Sequence, residues 1–228
     1  MLDGVYSWAL IYEDDFLVAR DKIGVKQLYY GRNEVGSWFF ASELKALEKE
    51  CGGVVIDSFP AGHYFTPSKG IAPFWFPSWL HWEDTLNRPN YETIRSSLID
   101  ATHKRLMADV VIGALLSSGL DSSLICAIAA KQLKCLPKLK TYSIGLCDSS
   151  DGIAASKVAN FIGSSHKHIL FTVEEGLSMI NKVIWHLETY DVGTVRAAIV
   201  HFLLSKAVAS DNVKVVLSGE GADELFGG

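Results

Sequence analysis

The chain has 228 residues, of which 49% are hydrophobic and 21% charged, and its formal net charge is −5. This composition allows one to two domains with a hydrophobic core, and the acidic balance argues against general nucleic-acid binding. The sequence has no uninterrupted apolar run of about 18 residues and no N-terminal charged segment followed by an apolar region, so neither a membrane span nor a signal peptide is predicted. The four cysteines lack metal-site spacing, which favours a reducing compartment and predicts a cytoplasmic protein.

The first part of the chain, residues 1–75, is typical of a β-rich domain. Short strands are predicted at residues 5–12, 16–20, 27–30 and 37–41, with Gly, Asp and Asn turns between them. Aromatic residues are dense in these strands and are expected to form the core of a sandwich. Residues 76–90 are predicted to be a connector, because the stretch from 67 to 90 is rich in proline and shows little periodicity.

From residue 91 to residue 228 helical and strand patterns alternate. Helices are predicted at residues 91–105, 121–134, 152–162, 173–187 and 196–210, and strands at 110–116, 141–146, 167–171 and 213–217. This alternation predicts a parallel sheet with helices on both faces. In such sheets ligands bind at the carboxyl ends of the strands, where the strand order reverses.

A loop of small residues, Ser-Ser-Gly-Leu-Asp-Ser-Ser at 117–123, lies between a predicted strand and a predicted helix. Backbone N–H groups of such a loop and of the helix N-terminus can bind phosphate. The loop lacks the Gly-x4-Gly-Lys-Ser/Thr pattern, and with Asp121 and no lysine it suits a magnesium-bound pyrophosphate. The alternative is a simple turn in which an aspartate or a serine caps the helix.

A second loop, Ser-Gly-Glu-Gly-Ala-Asp-Glu-Leu-Phe-Gly-Gly at 218–228, follows the last predicted strand. Its three carboxylates, on Glu220, Asp223 and Glu224, repel one another unless a cation or a partner is present. Magnesium prefers one or two carboxylates plus phosphate oxygens, so Asp121 and Asp223 together would satisfy it. The alternative here is a solvated acidic turn.

Together the two loops resemble those of glutamine-dependent, class B asparagine synthetases. Further matching segments are Leu-Glu-Thr-Tyr-Asp-Val at 187–192 and the stretches 3–8, 19–25 and 40–47. The resemblance covers nearly the whole chain and is weaker near residues 70–90 and 130–140. Two residues depart from the family pattern: Ser118 replaces a glycine, and Gly193 replaces a threonine.

The resemblance implies an α/β protein in which the C-terminal part of a β-rich, Ntn-hydrolase-like glutaminase domain precedes a parallel-sheet ATP-pyrophosphatase domain of the adenine nucleotide α-hydrolase type. It implies ATP-dependent amidation of aspartate through an aspartyl-adenylate, with release of AMP and pyrophosphate. The implied cofactors are ATP and Mg²⁺, and the partners are the small molecules ATP, aspartate and ammonia. Nucleic-acid and membrane partners are not expected, and the resemblance allows a homodimer.

The same resemblance assigns roles to individual residues. Glu220 would be the general base toward ammonia, Thr194 and Arg196 would hold the amino acid, and Asp121 and Asp223 would carry magnesium. The nucleotide would be bound by Leu115, Ser117, Gly119, Asp121, Ser122, Ser123, Ile144, Gly145, Ser218 and Gly219. Without the family context, Arg196 would be a surface residue at a helix start and Thr194 a helix N-cap.

Family members carry an N-terminal nucleophilic cysteine for glutamine hydrolysis, and no cysteine of this chain matches it. We therefore expect an internal fragment, incomplete at its C-terminus, in which the glutaminase function is lost. One alternative is a catalytically inactive remnant or a regulatory protein that keeps the fold, which the lost cysteine, Ser118 and Gly193 favour. Another is a related adenylating amidotransferase such as a β-lactam synthetase, against which residues 188–196 argue.

Overall fold

The computed structural model describes residues 2–52, 54–77, 79, 88–133, 138–147 and 149–227. The chain divides into two units, Met1–Arg88 and Pro89–Gly228, and each has its own sheets and hydrophobic core. The predicted connector at 76–90 lies mostly outside the described residues, as does Cys135.

The first unit contains two antiparallel sheets and one helix. Its elements are β1 (Ser7–Tyr12), β2 (Asp15–Arg20), β3 (Tyr29–Arg32), β4 (Trp38–Ala41), α1 (Lys45–Cys51), β5 (Ile56–Ser58), β6 (His63–Thr66) and β7 (Gly70–Pro73). One sheet has the order β1-β2-β6-β7 and the other β4-β3-β5. The periodicity of the sequence does not reveal α1 or the strands β5, β6 and β7. Gly52, in the left-handed conformation, ends α1 in the way that glycine commonly ends a helix.

An aromatic cluster joins the two sheets of the first unit. Rings of Phe16 and Phe65 come from one sheet, and Tyr30, Trp38 and Phe40 come from the other. The Trp38 and Phe65 ring centroids lie 4.9 Å apart. The expected aromatic core is therefore present, since aromatic rings contribute large apolar areas and favourable tilted contacts.

The turn after β2 is organised by a buried carboxylate. Asp21, only 1% exposed, accepts hydrogen bonds from the backbone N–H groups of Ile23, Val25 and Lys26 at 3.2, 3.0 and 3.0 Å. Burial raises the pKa of Asp21, but these N–H donors outweigh burial and bring the pKa below its usual value. The Asp21 carboxylate thus satisfies backbone donors that the turn leaves unpaired.

The second unit is an α/β structure with one parallel sheet. Its elements are α2 (Tyr91–Arg105), β8 (Ile112–Leu115), α3 (Leu120–Gln132), β9 (Lys140–Gly145), α4 (Ser150–Ile162), β10 (Ser165–Leu170), α5 (Val173–Ser178), α6 (Ile180–Leu187), α7 (Val192–Ser210), β11 (Val215–Leu217) and α8 (Ala222–Phe226). The strand order is β10-β9-β8-β11, and all neighbouring pairs are parallel. The chain moves outward from β8 to β10 and then returns to the other side of β8, so the order reverses between β8 and β11.

Helices cover both faces of this sheet. On one face Ala114 and Leu116 pack with Cys126 and Ala129 of α3 and with Ala155 and Ala159 of α4, in a core cluster that also contains Leu139 and Leu217. On the other face Leu204 and Val208 of α7 pack with Tyr142 and Val213. The alternation of side chains along β8 separates these two cores, as expected for a strand buried on both faces.

Helix α7 is the one described helix that is long and apolar enough to cross a membrane, judged by its length and composition. The helix carries Arg196 and Lys206, and its Leu204 and Val208 are buried against the sheet. The side of α7 that carries Leu204 and Val208 therefore packs against the sheet.

The predicted elements of the second unit correspond to the observed ones with shifted ends. The helix predicted at 173–187 is in fact two helices, α5 and α6, which meet at Met179. Helix α7 begins at Val192, four residues before the predicted start, because Asp191 is its N-cap. The short helix α8 was not predicted.

Candidate functional site

The candidate site is a cavity of about 370 Å³ at the carboxyl edge of the parallel sheet. It lies where the strand order reverses, between the loop after β8 and the loop after β11. Its remaining walls come from the end of β9, the start of α4 and the middle of α7. Of the residues predicted for the site, the structure brings together Leu115, Ser117, Gly119, Asp121, Ser122, Ile144, Ser218, Gly219, Glu220 and Asp223.

Serine side chains shape the loop after β8. Ser117 Oγ accepts a hydrogen bond from Gly119 N–H at 3.1 Å and lies 2.7 Å from Ser122 Oγ. Ser122 Oγ also accepts from the Ser117 backbone N–H at 3.2 Å. Ser123 Oγ donates to the Gly119 carbonyl at 2.7 Å. These bonds fold the loop back onto the first turn of α3.

Helix α3 begins without a side-chain cap. Its N-cap is Gly119, which has extended backbone and no side chain to accept a hydrogen bond. The interpretation of the loop as an Asp- or Ser-capped turn is therefore wrong. An uncapped helix start presents backbone N–H groups and the positive end of the helix dipole, and both favour an anion.

Ser118 causes no backbone strain in this loop. Among the described residues, the non-glycine positions with positive φ are Glu13, Glu188 and Asn212. Ser118 is described and is not one of them. The replacement of the family glycine by serine is therefore accommodated at ordinary φ.

The loops after β8 and β11 touch at Gly219. A Cβ placed on Gly219 would lie 2.8 Å from Ser122 N and 2.9 Å from the carbonyl carbon of Asp121. Only glycine permits this approach, because such distances are shorter than any real side-chain contact. The contact holds the acidic loop directly against the start of α3.

Negative charge dominates the lining of the cavity. Of the residues that the structure describes, five carboxylates line it and no lysine or arginine does; the five are Asp121, Asp151, Glu220, Asp223 and Glu224. An anionic ligand would need a cation here, and carboxylate oxygens suit Mg²⁺. Within the described residues no group of three or more His, Cys, Asp or Glu side chains is arranged to hold a metal alone. A magnesium ion in this cavity would need oxygens of the ligand to complete its coordination.

Four of the predicted residues do not line the cavity. Ser123 and Gly145 follow lining residues directly, whereas Thr194 and Arg196 lie on the exposed first turns of α7. Thr194 is not the N-cap of α7: its backbone N–H and hydroxyl both donate to Asp191 Oδ1, at 2.7 and 2.6 Å. These two hydrogen bonds hold the pKa of Asp191 below its usual value.

The lining residues that the sequence argument missed include three on helices and strands that no motif marks. Ser143 lies inside a strand, Asp151 lies in the first turn of α4, and His201 lies on α7. None of them belongs to a Gly- or Ser-rich loop. A signal existed for Asp151 alone, because it follows closely on the carboxyl end of β9, where parallel sheets place their ligands.

Comparisons with known proteins confirm the resemblance to asparagine synthetases. A family model described as asparagine synthase matches residues 93–228, and one described as glutamine amidotransferase domain matches residues 1–49. The chain is 43% identical over 252 residues to "Probable asparagine synthetase [glutamine-hydrolyzing]" of Schizosaccharomyces pombe, covering 100% of this chain and 44% of that protein. It is 44% identical over 241 residues to "Asparagine synthetase [glutamine-hydrolyzing]" of Brassica oleracea, covering 100% of this chain and 40% of that protein.

The chain thus spans less than half the length of these curated relatives. Among solved structures, an NH3-dependent NAD synthetase from Campylobacter jejuni aligns with a TM-score of 0.42 and 17% identity, covering 61% of this chain and 60% of that chain. That structural similarity is too low to bear on function.

Proposed function

Since the chain belongs to the asparagine synthase family, we propose that its cavity binds ATP and supports the amidation of aspartate to asparagine. The observation that carries the proposal is the contact of Gly219 with Asp121 and Ser122, because it places an uncapped helix start and an acidic loop on one cavity. Such a site combines N–H donors for phosphate with carboxylates for a magnesium ion.

The pyrophosphate end of ATP would lie on the loop after β8. Backbone N–H groups near Gly119 and at the start of α3 would donate to phosphate oxygens, with Ser117, Ser122 and Ser123 holding the loop in shape. Asp121 and Asp223 would hold magnesium, which neutralises phosphate charge when it is bound. Electrostatic neutralisation of this kind is the main contribution to phosphoryl-group chemistry.

The base and ribose would lie against an apolar wall. Leu115 and Ile144 pack near Leu204 of α7, and all three side chains line the cavity. Ser218, Gly219 and Gly145 would frame the nucleotide from the loop after β11 and from the end of β9. A largely apolar surface with a few polar groups is the usual lining for a nucleotide base.

Aspartate would enter from the α7 side of the cavity. Arg196 would bind the α-carboxylate of aspartate in a bidentate contact, and Thr194 would assist. An oxygen of the side-chain carboxylate attacks the α-phosphorus of ATP, the bond to the β-phosphate oxygen breaks, and pyrophosphate leaves. Ammonia then attacks the acyl carbon, AMP leaves, and Glu220 accepts the proton from the attacking nitrogen.

The test is ATP–pyrophosphate exchange in the presence of aspartate. Radiolabelled pyrophosphate should enter ATP only when aspartate and Mg²⁺ are both present, and Asp223→Asn should abolish the exchange. If ATP binds but no aspartate-dependent exchange occurs, the enzyme proposal fails for this chain and the inactive, regulatory alternative gains.

Two observations reduce the weight of that alternative. Ser118 has no positive φ, and a Cβ on Gly193 would meet its nearest atom, Asp191 Oδ1, at an ordinary 3.5 Å. Both departures from the family pattern are therefore structurally neutral. The loss of glutamine hydrolysis in this 228-residue chain stays a prediction, to be checked by glutamate release. A cytoplasmic location and a homodimer also stay predictions.

A further inference from the structure

A chain of polar side chains lies in the otherwise apolar layer between the parallel sheet and α4. We call it the relay, and it consists of Thr141, Ser143, Ser164, His166 and His168. The links between hydroxyl and imidazole groups are 2.9 Å for Thr141–Ser164, 3.0 Å for Thr141–His166, 3.1 Å for Ser143–His166 and 2.7 Å for Ser143–His168. Thr141 and Ser143 are buried.

The links of the relay allow one consistent direction of donation. Ser164 Oγ donates to the Ala159 carbonyl at the end of α4, so Thr141 donates to Ser164. His166 then donates from Nδ1 to Thr141 and accepts at Nε2 from Ser143. Ser143 in turn accepts from Nδ1 of His168. In this arrangement each hydroxyl group donates one hydrogen bond, and so does the Nδ1–H group of each imidazole, so none of these donors is left unpaired.

The surroundings of His166 favour its neutral imidazole. Burial and the neighbouring His168 lower the pKa of His166, against a small opposing effect of Thr141. A protonated His166 would also leave the Ser143 hydroxyl without an acceptor, since both imidazole nitrogens would then donate.

The relay ends at α4, beside the candidate site. The His168 ring lies over Gly152, where a Cβ would come within 2.6 Å of His168 Cε1. Gly152 directly follows Asp151, and Asp151 lines the cavity, as do Ser143 and Ile144. The relay therefore ties the end of β9 to the first turn of α4, and both of these segments form the cavity wall.

We propose that His166 and His168, together with the Ser143 hydroxyl to which both are hydrogen-bonded, are positioning residues. They hold the cavity wall of Ser143, Ile144 and Asp151 in place for nucleotide binding. The inference rests on the proposed function, because the ligand is taken to be ATP. His166 and His168 do not line the cavity, so they act only through Ser143 and α4.

The experiment measures ATP affinity in the 228-residue chain carrying His168→Leu, His168→Asn or Gly152→Ala, with Gly176→Ala as the control. Asparagine keeps an N–H donor close to the position of Nδ1, and leucine does not. A Cβ on Gly176 would meet its nearest neighbours at 3.6 Å, so that helical glycine has room. We expect His168→Leu and Gly152→Ala to weaken ATP binding about fivefold, and His168→Asn and Gly176→Ala to bind like the wild type.

A second measurement keeps the test decisive if a variant does not fold. Nitrogen-15 spectra of the wild-type imidazoles should show the Nδ1–H tautomer at both His166 and His168, and their signals should shift when ATP is added. Nε2–H tautomers, or equal affinities in His168→Leu and the wild type, would overturn the relay while ATP binding stands. Failure of the wild type itself to bind ATP would overturn the proposed function and the relay's role together.

Discussion

Gly219 rests on the backbone of Asp121, at the point where the two loops of the candidate site meet. Gly219→Ala forces these loops apart, because the added Cβ overlaps Ser122 N and the Asp121 carbonyl carbon. We expect ATP affinity to fall more than about tenfold, in line with the displacement of a preorganised anion site. Calorimetric titration measures this, with Gly176→Ala as the glycine control. Wild-type affinity in Gly219→Ala would show that the loop contact is not needed.

Asp121 and Asp223 should act as a pair on one magnesium ion. We expect Asp121→Asn and Asp223→Asn each to weaken Mg–ATP binding about tenfold, and the double variant to lose little more, because the two carboxylates share one function. Binding measured with excess chelator should be insensitive to either change. Asp109→Asn, which removes one exposed charge just before β8 and away from the cavity, is the charge-matched control. If the losses of Mg–ATP affinity in the two single variants add up in the double variant, the two carboxylates do not act on one shared ion.

Ser118→Gly should not improve nucleotide binding. Serine already has ordinary φ here, so glycine relieves no strain. We expect ATP affinity to stay within about twofold, and stability to fall by about 0.4–1 kcal/mol through the greater freedom of the unfolded chain. Urea unfolding and a binding titration check both values. A tenfold gain in affinity would mean that the serine obstructs the phosphate site.

Acid should weaken the second unit through His166. The pKa of His166 in the fold lies below its unfolded value of about 6.5, so between the two values the unfolded chain binds more protons. The free energy of unfolding should therefore be constant above about pH 7 and fall as the pH drops below 6.5. Amide hydrogen exchange in β9 and β10 measures it locally. His166→Asn should flatten this dependence, and an unchanged pH slope in that variant would exclude His166 as its source.

Asp21 should be essential to the first unit. Asp21→Ala removes the acceptor of three partly buried hydrogen bonds from the backbone N–H groups of Ile23, Val25 and Lys26, at a cost of about 2–3 kcal/mol. The carboxylate contribution is present above the unfolded pKa of about 3.9 and is lost as the pH falls through the lower folded value. Denaturant unfolding followed by aromatic fluorescence detects the change. Asp57→Ala, on the exposed strand β5, is the matched control.

The sequence predicted the second unit better than the first because its signals are local. Residues 91–105 were predicted as the helix that the structure shows as α2, with Asn90 accepting from Thr93 N–H as N-cap. The break at Met179 had no Gly or Pro to reveal it. Strand β7 escaped because Pro73 suggested a connector, yet an edge strand tolerates proline since its N–H side needs no partner.

The site residues that lie in loops after strands could be predicted from the sequence. Asp121 and Asp223 were placed on one edge from the strand–loop pattern, and both line the cavity. No motif of the sequence points to His166 and His168, which the structure places in the relay. Their spacing in the sequence shows only that they lie on the same side of a strand. Which residues of β9 they contact depends on the register of the parallel pair β9–β10, which the sequence does not reveal. His201 and Asp151 depend in the same way on how distant elements pack.

The return of the chain from β10 to β11 gives the protein a built-in order of assembly during synthesis. Strand β11 pairs with β8, the first strand of its sheet, so a nascent chain that has emerged only as far as α7 has the serine loop without its acidic counterpart. Pairings between such distant segments form late, because the intervening chain must first be ordered. Until then the cavity lacks the wall that residues 218–224 supply, so a ligand bound there would report that the second unit has been translated and folded through α8.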